Sequence, residues 1–272
     1  MSRGKQKSEL LEPFEARIQS IARANALLDA MADGDWVSLK VLAGRTGLAK
    51  STAFNLVTAL VDVGWAERDA AAGAYRLGTQ LLIYGKAVER RLDISAIARP
   101  HLVRLCANTR ETVNLAIPRA ADVLIVESLE GSHSLRVTSY AGTRAPYHST
   151  ACGRALLAHK PGSMRSLILS IGELPALTNR TITDPAALED QLEQCRKRGW
   201  ATEYEENEPG GACVAAPIFD HAGEAVAAVS IAGPSSRFDP ATVEALGKLL
   251  VASVAEIGAD LSRNTASQAR QV

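Results

Sequence analysis

The chain has 272 residues, 47% apolar and 4% aromatic, with 30 Lys and Arg against 30 Asp and Glu. That length allows two domains with real cores, and the zero net charge gives no chain-wide attraction to nucleic acid. No apolar run approaches the ~20 residues of a membrane span, and the opening MSRGKQKSELLEPFE lacks the apolar centre of a signal peptide. Cys106, Cys152, Cys195 and Cys213 are far apart and lack CxxC spacing. This argues against zinc and against a disulfide framework, and for a reducing, cytoplasmic setting. Neither a metal nor a cofactor is expected.

Residues 1–16 read as a flexible arm carrying Arg3, Lys5 and Lys7. Ile18, Ile21, Ala22, Ala24, Leu27, Leu28 and Met31 then recur at helical spacing, and Asp33-Gly34-Asp35 ends the pattern. Ser38 is a natural N-cap for a helix over Leu39–Thr46, and Gly47 supplies the turn. A third helix is predicted from Lys50 to Val63, stopped by Gly64. Its Ala53, Leu56, Val57, Leu60 and Val63 should pack inward, whereas Lys50, Ser51, Phe54, Asn55 and Thr58 fall on the other face. Trp65–Arg68 and Ala74–Leu77 read as two strands around a loop, a wing. Between Ser38 and Thr58 stand Lys40, Arg45 and Lys50 and no acid.

This order is a winged helix-turn-helix, which sets one helix into a DNA major groove. Lys40, Arg45, Lys50, Arg68 and Arg76 are candidate phosphate contacts. Ser51 and Thr52 at the helix start suit phosphate oxygens. Asn55 suits adenine, Phe54 a thymine methyl or a sugar, and Thr58 completes the face. The local cation excess matters here more than the neutral total. The segments SLKVLAGRTGLAKSTAFNLVTAL and GAYRLGTQLL resemble the N-terminal domain of the IclR (isocitrate lyase regulator) family of bacterial transcription factors. That family usually has an arginine after its Ser-Thr pair, where this chain has Asn55.

Leu77–Leu92 reads as a linker helix striped by Leu81, Leu82, Tyr84, Val88 and Leu92. It serves either coupling and dimer formation or packing on its own domain. A helix over Ile94–Cys106 follows. Strands are predicted at Thr112–Ile117, Asp122–Glu127 and Leu135–Tyr140, then helices at Ala151–His159, Gly162–Ile171 and Pro185–Arg198. Cys213–Phe219 and Ala225–Ala232 form a hairpin around Asp220-His221-Ala222-Gly223. A last helix, Pro240–Leu261, precedes a polar tail. This order fits an antiparallel sheet flanked by helices. Here AGTRAPYHSTACGRALLAH and GWATEYEENEPGGACVAAPIFDHAGEAVAAVSIAGPSSRF resemble the effector-binding domain of the same family.

The fold class is therefore α+β: an N-terminal winged helix-turn-helix (17–78) joined by a linker helix (79–92) to a GAF-like effector-binding domain (93–262) with an antiparallel sheet. A flexible tail follows (263–272). The start of the helix at His148-Ser149-Thr150-Ala151-Cys152-Gly153 suits a carboxylate, or Ser149 or Thr150 simply caps it. Cys213 and Ser230 are small polar groups on apolar strands, as a pocket lining or as satisfied core. By the resemblance, Glu203, Cys213 and Ser230, with Ala151 and Cys152, line an effector pocket. Ala232 replaces a serine frequent in members that bind small organic acids, and Glu203 is longer than the frequent aspartate. The lost hydroxyl weakens the case for glyoxylate and favours a larger or more apolar acid, aromatic or medium-chain. The resemblance implies a homodimer or dimer of dimers on a palindromic double-stranded DNA operator, a small-molecule effector and no membrane. Two alternatives stand beside it. One is a Cys–His enzyme built on His148 and Cys152, or Cys213 and His221. The other is an architectural DNA-binding protein without a ligand.

Overall fold

In the computed structural model, residues 18–32, 35–89, 93–166 and 174–269 are described. The cationic arm, Asp33-Gly34, Leu92 and the second half of the expected Gly162–Ile171 helix lie outside them; residues 162–166 are helical. The chain divides into two units, Met1–Arg91 and Leu92–Val272.

The first unit contains helices α1 (Gln19–Ala30), α2 (Leu39–Thr46), α3 (Lys50–Asp62) and α4 (Gln80–Glu89). Strands β1 (Val37–Ser38), β2 (Ala66–Asp69) and β3 (Ala74–Leu77) make an antiparallel sheet in the order β1-β3-β2. The Ser38 hydroxyl accepts from the Val41 N–H at 3.4 Å and starts α2. Gly47 ends it at φ 68°, a left-handed conformation that favours glycine. Leu27, Met31, Leu42, Ala53 and Val57 are fully buried in one core. One expectation fails here. Val63 is 55% exposed, because it follows the last turn of α3 where the chain bends away at Gly64. Ile21 is exposed on α1 and Ile18 just before it, and the core contact of the helix is made by Leu27 and its neighbours.

The second unit opens with α5 (Asp93–Thr109) and continues through β4 (Thr112–Pro118), β5 (Asp122–Leu129) and β6 (Arg144–Pro146). Then come α6 (Ala151–Leu157), α7 (Pro185–Arg198), β7 (Ala201–Tyr204), β8 (Gly211–Phe219), β9 (Ala225–Pro234) and α8 (Pro240–Ala269). The six strands form one antiparallel sheet in the order β6-β5-β4-β9-β8-β7. Alternation divides its side chains between two cores. Val113, Leu115, Val214, Val229 and Ile231 pack with α5 and α8. Ala116, Ala215 and Ala228 pack with α6 and α7 on the opposite face.

The expected strand Leu135–Tyr140 is irregular. Its carbonyls are taken by side chains instead of a neighbouring strand: Thr112 Oγ1 donates to Val137 O at 2.6 Å and Ser128 Oγ to Ser139 O at 2.9 Å. The edge strands are β6 and β7, which the alternating pattern alone did not mark. The tail expected from residue 263 continues α8 as helix through Ala269.

The Arg154 side chain on α6 is buried and bridges to β7 and the turn beyond it. It donates to His148 O at 2.7 Å, to Thr202 O at 3.0 Å and to both carboxylate oxygens of Glu206. Removing one member of a buried pair leaves the other uncompensated, at a cost of about 3–5 kcal/mol. Arg154→Met should lower the stability of the second unit by that order in urea denaturation, and Arg154→Met with Glu206→Gln should recover part of the loss.

Candidate functional site

The exposed face of α3 carries Lys50, Ser51, Phe54 and Asn55, with Thr52 and Thr58 half-buried at its margins. Ala49 precedes the helix and provides no side-chain cap, so the first-turn N–H groups have no hydroxyl or carboxylate partner from it. Lys40 is exposed on α2. Arg45 is engaged within the unit, donating to Ala30 O at the end of α1 at 2.8 Å. On the wing, Arg76 donates to Glu67 Oε2 at 2.9 and 2.8 Å and lies 4.5 Å over the Trp36 ring. Arg68 is exposed, 6.0 Å from the Tyr75 ring. Lys40, Lys50 and Arg68 therefore present their charge outward, whereas Arg76 is offset by an adjacent carboxylate.

In the second unit, the register sets Glu203 opposite Cys213, Cys213 opposite Ala232, and Ser230 opposite Asn114. Their neighbours in sequence enter the core under α5 and α8, so these side chains share the other face. There α6 covers the sheet incompletely and leaves a cavity of about 300 Å3. Thr150, Ala151, Cys152, Glu203, Cys213, Ser230 and Ala232 line it, as do Asn114, Tyr140, Arg144 and Asn207. Ser149 does not: its hydroxyl donates to Asn207 Oδ1 at 3.2 Å behind the wall. Thr150 is the cap of α6, accepting from the Gly153 N–H at 3.1 Å and donating to Pro146 O at 2.6 Å. With seven residues, α6 offers a weaker N-terminal field than the sequence suggested. Arg144, the cation of the lining, is bound to Asp122 at 2.6 Å.

The comparisons fit this geometry. Residues 20–70 match the IclR helix-turn-helix domain, and residues 86–259 match the bacterial transcriptional regulator IclR C-terminal domain. The chain belongs to the IclR family. It is 36% identical over 241 residues to the HTH-type transcriptional regulator BhcR of Paracoccus denitrificans, covering 88% of this chain and 86% of BhcR. The crystal structure of the Thermotoga maritima IclR superimposes with a TM-score of 0.69 at 34% identity, over 90% of this chain and 99% of that one. An IclR homologue from Microbacterium hydrocarbonoxydans, complexed with 4-hydroxybenzoate, superimposes with a TM-score of 0.74 at 28% identity, over 89% and 98%. This chain is thus a transcriptional regulator with a DNA-binding helix-turn-helix and a C-terminal effector domain.

The Cys–His alternatives do not assemble in this regulator. The His148 ring donates from Nε2 to Pro175 O at 3.0 Å and is not in the cavity wall, and His221 lies in the exposed turn at the far end of β8 from Cys213. Burial pushes the Cys152 thiol up to about 11. Cys213 is raised well above its ordinary value by burial first, then by Cys152 and Glu203 nearby. Both are thiols at neutral pH and so are weak nucleophiles.

Asn114 and Arg144 escaped the sequence reading. Asn114 sits in the apolar run Thr112–Ile117, and its polarity was the available signal. Arg144 belongs to a three-residue edge strand, and nothing in its local sequence points to a cavity.

Glu203 is buried, and its Oε1 accepts from the Glu206 N–H at 2.7 Å and the Asn207 N–H at 3.2 Å. Burial pushes its carboxyl up to about 7, opposed by those two donors. A raised folded-state value means the folded state holds a proton that the unfolded chain releases near 4.5. This contribution to stability is lost as pH rises from there through about 7, by on the order of 3 kcal/mol, and is level above. Glu203→Gln should remove that part of the pH dependence, read from urea midpoints at pH 5 and pH 8.

Proposed function

We propose that this regulator is gated by a carboxylic acid of ring size or comparable length, bound in the cavity between α6 and the β4–β9–β8–β7 floor. The observation that carries this reading is the mixed lining: Glu203, Asn114, Ser230 and Arg144 beside Ala151, Ala212, Ala232 and Ile125. A small-molecule site is mostly apolar with a few placed polar groups, and ~300 Å3 is at the small end of the usual range. Ala232 supplies a methyl where a hydroxyl would grip a two-carbon acid. The 4-hydroxybenzoate held by the Microbacterium relative supports an aromatic acid.

On the DNA side, two or four copies of the chain set α3 into half-sites of a palindromic operator. Lys50, with Ser51, Thr52 and the uncapped start of α3, engages phosphates; Asn55, Phe54 and Thr58 read base edges. Lys40 and Arg68 extend the phosphate contacts, and Arg45 and Arg76 do so only by sharing their existing partners. The exposed Leu82, Ile83, Tyr84 and Val88 of α4 support association of copies. The effector shifts operator affinity by no more than its own preference between the two arrangements of the protein.

Three measurements test this. Lys50→Ala should weaken binding to all operator variants alike and reduce the salt slope by roughly one. Asn55→Ala should relax preference at one base position only; wild-type discrimination in that variant would remove Asn55 from the reading face. Calorimetric titration of the full chain with a panel of acids should give binding by aromatic or medium-chain acids and none by glyoxylate. Tight glyoxylate binding with no response to the larger acids would reverse the size assignment.

A further inference from the structure

Asn114 holds a buried polar atom that the protein itself does not use. The residue is 5% exposed and sits on β4 with its side chain on the cavity face. Its amide nitrogen donates to Ser230 Oγ at 3.4 Å. Its Oδ1 is buried and has no hydrogen-bond partner among the described residues.

A buried amide oxygen without a donor is costly, and native interiors rarely keep one idle. The residue that carries this one lines a cavity, so a molecule bound there is the group that can meet it. An acceptor accepts from O–H or N–H and repels a carboxylate.

We infer that Asn114 is the specificity-determining residue of the effector site, selecting acids that carry a hydroxyl or N–H donor over the same acids without one. This rests on the acid-binding reading above and adds the second functional group the ligand must carry. A site built to pair a donor discriminates against the analogue lacking it, because the protein's own polar atom is then left unpaired in the complex.

The test uses the full-length chain and matched pairs: benzoate with 4-hydroxybenzoate and with 3-hydroxybenzoate, and hexanoate with 6-hydroxyhexanoate. Binding is read by calorimetry. Wild type should prefer the hydroxylated member of at least one pair by about tenfold or more. Asn114→Leu, of similar size and without the acceptor, should lose that preference and bind the plain acid more tightly than wild type does. Asn114→Asp keeps the acceptor and should keep the preference, which preserves the test where the leucine variant does not fold. Thermal transitions and operator binding identify which variants are folded. Equal binding of both members by wild type, or a preference that survives in folded Asn114→Leu or disappears in folded Asn114→Asp, overturns the role of Asn114 and leaves the acid site standing. Binding of no acid from any pair by wild type overturns the acid reading, and this inference with it.

Discussion

The second unit depends on an unequal cover over a two-sided sheet. Because strand side chains alternate, every residue of β4, β8 and β9 that faces away from α5 and α8 must meet something on the opposite side. There the cover is short. The seven residues of α6, with α7 beyond, seal Ala116, Ala215 and Ala228, Cys213 packs at the margin of that cover, and a gap remains that is lined by Asn114, Cys213, Ser230 and Ala232. The cavity is what remains.

That incomplete cover is held firmly. Arg154 ties α6 to Glu206 and to β7, Glu203 ties its own carboxylate to the same turn, and Thr150 fixes the start of α6 to Pro146. Over the other side, the irregular segment from Leu135 to Tyr140 is pinned by Thr112, Ser128 and Arg237, the last donating to Leu135 O at 2.9 Å. The walls are thus fixed by hydrogen bonds, while one polar atom of the lining, Asn114 Oδ1, is buried and has no partner among the described residues. A binding site requires both properties, since rigid walls lower the cost of ordering a ligand and unused polar atoms give it specificity.

The DNA-reading unit follows a simpler rule. Its core is small and local, and each boundary is set by one residue with one job: Ser38 accepting an N–H, Gly47 adopting a positive φ, Gly64 ending α3. Gly78 approaches Gly64 so closely that a Cβ there would lie 2.2 Å from its carbonyl oxygen. The wing is thereby held against the end of α3, and charged groups arrange around this frame. Arg76 and Arg45 settle on internal partners, and Lys50 and Asn55 remain on the exposed face.

What the sequence by itself determined is everything governed by near neighbours. The helix-turn-helix, α7, the β8–β9 hairpin and the family motifs are legible because caps, turns and periodicity act within a few residues. Glu203, Cys213, Ser230 and Ala232 were reachable through resemblance. The tertiary structure decided what depends on partners distant in sequence. Leu135–Tyr140 has strand-like composition, yet side chains take its carbonyls before a strand does. Arg76 looks free in sequence, yet Glu67 lies directly across the wing. Asn114 looks like an ordinary polar residue in an apolar run. Only the pairing of β4 with β9 sets it beside Ser230 at the cavity wall, with its oxygen buried and without a partner among the described residues.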